Sequence, residues 1–99
     1  MVNVIKTDAF HRWMKSLADQ RARARIAMRI DRLAEGNAGD FAPVGEGVCE
    51  LRIDYGPGYR VYYLRRGDAL VLLLCGGDKS TQPADIRKAL QIAHEWKDG

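Results

Sequence analysis

Ninety-nine residues are enough for one domain with one core, and not for two. With 46% hydrophobic and 29% charged residues the chain has the balance of a globular domain rather than a disordered one, and its longest apolar run, Ala69 to Cys75, is far shorter than the ~18 residues that mark a membrane span. No basic segment followed by an apolar one occurs between Met1 and Lys15, so no secretory signal is expected, and a net charge of +3 is too small to name a partner.

In chain order, Val2 to Thr7 reads as a short strand. Thr7 or Asp8 is placed to cap a helix in which Phe10, Trp13, Met14 and Leu17 recur at helical spacing and form one apolar stripe. Asp19 caps a second helix from about Gln20 to Glu35, ended by Gly36-Asn37. Here the charge is concentrated. Seven basic residues between Arg12 and Arg32 stand against two acidic ones, whereas from Leu33 onward eight basic residues face ten acidic. Ala22, Ile26, Ile30 and Leu33 make the buried stripe of this helix, and Arg21, Arg25, Arg29 and Arg32 share another face. Such a ridge is either simply solvated or matched to an anionic partner, and arginine, which outnumbers lysine eleven to five, suits bidentate contacts to phosphate or carboxylate.

Gly36 to Gly47, rich in glycine with Pro43, reads as a loop. Three strands follow. In Val48 to Tyr55, Cys49, Leu51 and Ile53 face one way and Glu50, Arg52 and Asp54 the other. In Tyr59 to Arg66, Tyr59, Val61 and Tyr63 oppose Arg60, Tyr62 and Leu64. Ala69 to Cys75 is apolar on both faces, as befits a strand covered on both sides. The turns between them are short, which implies antiparallel hairpins. Ser80 or Thr81 then caps a last helix with Pro83 and Asp85 in its first turn and an apolar stripe of Ile86, Ala89, Leu90, Ala93 and Trp96. The expected order is β-α-α-β-β-β-α, a single α+β domain over residues 1–99 with its helices against an antiparallel sheet.

Cys49 and Cys75 lack metal-type spacing and read as core residues of a reduced, cytoplasmic protein rather than as a disulfide. His11 and His94 have no ligand partner at suitable spacing, so neither a metal nor a cofactor is expected. Gly76-Gly77-Asp78-Lys79-Ser80 ends like a phosphate-binding loop but lacks its first glycine. What remains is a cationic sheet surface: Arg52 and Arg60 on adjacent strands, Tyr62 beside them, and Lys79 just after the last strand. Cations with an aromatic neighbour suit RNA, the charges meeting phosphates and the ring a base. The alternative is that Arg52 pairs with Glu50 or Asp54 and the tyrosines are packing.

The runs Leu51-Arg52-Ile53-Asp54-Tyr55-Gly56-Pro57-Gly58-Tyr59-Arg60-Val61-Tyr62 and Leu74-Cys75-Gly76-Gly77-Asp78-Lys79-Ser80-Thr81-Gln82, with Asp85, Ile86 and Ala89, resemble the RelE/ParE toxin superfamily, closest to its HigB-like branch, also called Gp49-like or "addiction module killer protein". Asp31 to Asn37 fits as well, so the resemblance covers nearly the whole chain. It implies the toxin of a type II toxin–antitoxin pair that cleaves mRNA on the ribosome, a ribose 2′-hydroxyl attacking the adjacent phosphate. On this resemblance Arg60 and Lys79 are the catalytic cations and Arg52 a third. The tyrosine that RelE itself carries after the last basic residue is missing, which leaves the base unassigned; Asp85 stands near that position and is either the base or a structural, capping charge in the first turn of the helix. The partners implied are a small helix-turn-helix antitoxin, operator DNA through that antitoxin, and the ribosome with its mRNA; Arg21, Arg25, Arg29, Arg32 and Tyr62 would serve RNA, ribosome or antitoxin binding. ParE-like members of the same superfamily instead inhibit DNA gyrase without a nuclease site, and a toxin-derived corepressor would act only with its antitoxin.

Overall fold

The computed structural model describes residues 2–96. Local chemistry sets most of its elements. Strand β1 (Asn3–Lys6) leads into helix α1 (Asp8–Ser16), where the Thr7 hydroxyl accepts the Phe10 amide at 3.1 Å and donates to the Leu74 carbonyl at 2.6 Å. One side chain therefore caps the helix and ties its start to the sheet. Helix α2 (Gln20–Ala34) starts at Asp19, whose carboxylate accepts the Arg21 and Ala22 amides, and it buries Ala22, Ile26, Ile30 and Leu33. Strands β3 (Val48–Ile53), β4 (Tyr59–Arg66) and β5 (Leu70–Asp78) form the expected antiparallel meander. A turn of 3-10 helix at Lys79–Thr81, capped by Asp78, precedes helix α3 (Gln82–Glu95). Thr81 is the N-cap residue of α3, as expected, but its side chain makes no capping bond there; the side-chain cap is Asp78, one turn earlier.

Two features correct the expected topology. The stretch read as a loop contains a further strand, β2 (Phe41–Gly45), antiparallel to β3 with Phe41 opposite Leu51 and Pro43 opposite Cys49. Pro43 hid it, since proline marks a breaker in sequence, yet it is tolerated on an edge strand where its missing N–H leaves no ladder bond unmade. The order is therefore β-α-α-β-β-β-β-α. Nor is the sheet wholly antiparallel: its strand order is β1-β5-β4-β3-β2, and β1 runs parallel to β5 with Asn3 opposite Leu70 and Lys6 opposite Leu73. The two-sided apolar character of β5 reflects this interior place.

The α+β domain has three layers. Phe10, Ile26, Ile30 and Leu33 from α1 and α2 pack against Leu51, Ile53, Val61, Tyr63, Val71 and Leu73 on one sheet face. On the other, Val48, Tyr62, Leu72, Leu74 and Cys75 pack against Ala89 of α3, with Ile86, Leu90, Ala93 and Trp96 around it. A bulge between Tyr62 and Tyr63 sets two adjacent β5 residues, Leu74 and Cys75, into the α3 layer together. Each fully buried Ile or Leu stabilises the fold by roughly 1.5–3 kcal/mol. Cys49 packs into the α1–α2 layer and Cys75 into the α3 layer, both as free thiols, and burial pushes the Cys75 thiol up to about 12. None of the helices among the described residues is long and apolar enough to cross a membrane.

The caps make acid sensitivity predictable. The Ala22 amide first, then the Tyr55 hydroxyl and the Arg21 amide, hold Asp19 below the ordinary carboxylate range, and the Ser80 hydroxyl and amide do the same for Asp78. A depressed carboxylate contributes stability that is present above its unfolded pKa and lost as pH falls through its folded one. The melting temperature should therefore fall as pH drops below about 5 and these carboxylates protonate. Asp19→Asn keeps a capping oxygen but removes that titration, so its melting temperature should fall less steeply over the same range; an unchanged slope would refute the role of this cap.

Candidate functional site

Two-residue alternation determines which side chains meet on the α3 face of the sheet. Arg52 stands directly opposite Arg60 and Glu50 opposite Tyr62 across β3 and β4, and Gly77 stands opposite Arg60 across β4 and β5. The Gly56-Pro57-Gly58 turn closes this end of the sheet. Gly58 has φ +79°, and a Cβ there would lie 3.5 Å from the Lys79 Cβ and 3.7 Å from Arg60 Nη1, so the turn brings Lys79 to the arginines. Arg52, Arg60 and Lys79 line one cleft of about 220 Å³, with Asp40, Ile53, Asp54 and Gly58 completing its wall.

Beneath this cleft lies Glu50, the one buried charged residue among those described, only 2% exposed. Arg52 Nε donates to its Oε2 at 2.9 Å and Gln82 Nε2 to its Oε1 at 2.7 Å, while Arg60 Nε stands 3.9 Å from Oε2. A buried carboxylate is tolerated only when paired and hydrogen-bonded, and here both conditions are met. Its hydrogen bond in turn holds Arg52 firmly in the charged form. Arg60 is less well served. Its Nε is buried with no hydrogen-bond partner, and Nη1 reaches the Gly58 and Tyr59 carbonyls only at 3.4 Å. An oxyanion arriving in the cleft would supply the strong charge-assisted partner this guanidinium lacks.

The other residues singled out in the sequence are sorted by their place in the fold. Lys79 is exposed at the cleft edge. Asp85 is not brought into the cleft. It sits over Gly77, accepts the Thr81 hydroxyl, and lines a neighbouring groove with Arg12, Trp13, Asp78 and Lys88. Tyr62 is on the Arg60 side of β4, yet it is fully buried under α3 and offers no ring face to a base, which corrects its expected exposure. Burial first, then the charges of Glu50 and Asp85, raise its hydroxyl well above the usual tyrosine range, and that hydroxyl has no hydrogen-bond partner. Tyr62→Phe removes a desolvated, unpaired group, so it should leave stability unchanged or raise it by up to about 1 kcal/mol in denaturant titrations; a loss beyond about 1 kcal/mol would reveal a partner for the hydroxyl.

The α2 ridge is divided. Arg29 turns inward, donating to the Arg52, Ala38 and Asp40 carbonyls, and thus braces the backbone of the cleft's own arginine. Arg25 lies 4.9 Å from the centre of the Tyr55 ring, a cation–π contact. Arg21, Arg25 and Arg32 remain exposed. The alternative that Arg52 pairs with Glu50 and that Tyr62 is packing is what the structure shows. Sequence reasoning missed the inward turn of Arg29 as a support of the cleft, since nothing distinguished it from its ridge neighbours.

Comparison with known proteins adds a family. Residues 12–97 match the model of the phage-derived protein Gp49-like family. An uncharacterised protein of Haemophilus influenzae is 49% identical over 94 residues, covering 95% of each chain.

Proposed function

The chain belongs to the phage-derived Gp49-like family, whose members are often toxins of toxin–antitoxin systems, and from that premise we propose that it is a type II toxin that stops translation by cleaving mRNA on the ribosome. The observation that carries this reading is the convergence of Arg52, Arg60 and Lys79 on one cleft, with the Arg60 guanidinium incompletely satisfied. In the proposed reaction the 2′-oxygen forms a bond to the adjacent phosphorus as the bond from phosphorus to the 5′-oxygen breaks. The 2′-hydroxyl proton passes to solvent water, the leaving 5′-oxygen takes a proton from water, and the products are a 2′,3′-cyclic phosphate and a 5′-hydroxyl. Negative charge builds on the phosphoryl oxygens along this path, and three fixed cations facing them are the catalytic means. The cleft's own contribution is electrostatic; Asp85 lies in the adjoining groove, over the Gly77 that stands opposite Arg60.

The α+β domain with its additional edge strand suits a RelE/ParE-like, HigB-like chain, and the same reading supplies the partners. These are the ribosome with its mRNA, a small helix-turn-helix antitoxin, and operator DNA reached through that antitoxin, all in the cytoplasm. Exposed Arg21, Arg25 and Arg32 form the docking ridge for ribosomal RNA or for acidic antitoxin residues. Expressing the chain alone tests the proposal. Pulse-labelled protein synthesis should fall before DNA synthesis does, and new mRNA 5′ ends should appear in frame with translated codons. Early loss of DNA supercoiling with translation intact would replace this reading with gyrase inhibition, and unimpaired growth would replace it with a corepressor role.

A further inference from the structure

We propose that Glu50 is the positioning residue of the cation cleft, a role that rests on the RNA-cleaving reading above. Its Oε2 meets both arginines at the same atom: Arg52 Nε at 2.9 Å and Arg60 Nε at 3.9 Å. Arg52 is held by its Nε edge from behind, and Arg60 Nε faces the same oxygen as an ion pair without a hydrogen bond, so both guanidiniums turn their terminal nitrogens away from Glu50. Arg52 and Arg60 line the cleft, whereas Glu50 does not. The terminal Nη1 of Arg52 reaches only to Asp40 at 3.6 Å, and that of Arg60 only to carbonyls at 3.4 Å. Both forks thus keep donors for the two non-bridging oxygens of one phosphate, and a single carboxylate keeps them side by side against their mutual repulsion.

The same geometry excludes Glu50 as the base. It is 2% exposed, its two oxygens accept bonds from Arg52 and Gln82, and it lies beneath the cleft rather than in it. Gln82 completes the device. It stands at the first position of α3 and fixes Oε1, so the start of that helix is coupled to the arrangement of the two arginines.

Two variants and one spectroscopic signature test this. In a reconstituted translation reaction, Glu50→Gln should lower kcat and kcat/KM together by about 10–100-fold, the pattern of an interaction made in the transition state. Its pH–rate profile should keep its shape. Gln82→Ala, which touches no cation, should lower kcat by about 2–5-fold while still melting cooperatively, at a lowered temperature because Glu50 Oε1 loses its partner, and it decides the matter should Glu50→Gln fail to fold. In 15N spectra of the free wild-type protein the Arg52 Nε–H signal should be protected from exchange by its bond to Glu50; in the Glu50→Gln protein, or in Gln82→Ala to a lesser degree, that protection should fall. Titration with inorganic phosphate should then move the terminal guanidinium signals of wild type, with affinity about tenfold weaker in the variant. Loss of the acidic limb of the pH profile would make Glu50 the base and overturn the proposal. So would wild-type kcat in both variants, or equal phosphate affinity. If wild type cuts no mRNA, the RNA-cleaving reading fails on its own, and the exchange and phosphate measurements alone uphold or overturn the positioning role.

Discussion

Gly76→Ala is expected to lower the melting temperature by about 12–24 °C, and Gly77→Ala by about 4–8 °C, although the two glycines are neighbours and neither has an unusual backbone angle. The difference lies in what a methyl group would meet. On Gly76 it would stand 2.3–2.5 Å from three atoms of the Trp13 ring. That ring is hemmed in on two sides, since it packs against Phe10 at 5.8 Å and edge-on against Tyr59 at 6.2 Å. Overpacking against a rigid ring between α1 and the sheet costs about 3 kcal/mol, the upper end of the usual range. On Gly77 the methyl would stand 1.8 Å from Asp85 Oδ2 and 2.6 Å from its Cγ. Here the obstacle is the end of a flexible, partly exposed side chain. The carboxylate can turn aside at the loss of its bond from Thr81, for about 1 kcal/mol. Thermal melts of the two variants side by side check the difference. Equal shifts would mean that α1 yields as readily as one carboxylate.

The same pair shows what sequence could and could not reveal. Gly76-Gly77 was legible as part of the resemblance, and the family it pointed to is the Gp49-like one that the chain matches, but the strand expected to end at Cys75 runs on through both glycines to Asp78. That one glycine is required by an indole on one face and the other by a carboxylate on the opposite face needed the packing of α1 and α3. Elements whose signal is local were read well: the stripes of α1 and α2, the caps Thr7 and Asp19, the alternation of β3 and β4. Strand β2 was missed because its five residues include Pro43 and Gly45, and its pairing with β3 overrides that poor propensity. Parallel pairing of β1 with β5 carries no local signal at all. In the site, alternation placed Arg52 and Arg60 on one face. Burial of Tyr62 and Glu50 on that face depends on where α3 lies, and inward turning of Arg29 depends on carbonyls nine to twenty-three positions away. Long-range pairings of this kind leave no periodicity to read.

Arg60→Ala and Lys79→Ala are each expected to lower the rate of mRNA cleavage by about 10²–10³-fold and to abolish growth arrest, with the fold retained. The two should separate in their structural cost. Lys79 is exposed on a short turn, so its removal should leave the melting curve in place. The Arg60 side chain is 12% exposed and helps to balance Glu50, but Arg52 and Gln82 still satisfy both carboxylate oxygens after it is gone, so the domain should fold with a lowered melting temperature. Arg60→Lys should recover little, because an ammonium on a flexible stem cannot reproduce a planar, multi-donor fork. Ridge variants give the contrast. Arg21→Ala and Arg32→Ala remove exposed charges away from the cleft, so they should weaken binding and flatten its dependence on salt while sparing the chemical step. In-frame cuts that persist in both the Arg60 and Lys79 variants would remove the cleft from the mechanism. Cuts that vanish there and only weaken in the ridge variants would place chemistry and docking on two separate charged surfaces of one small domain.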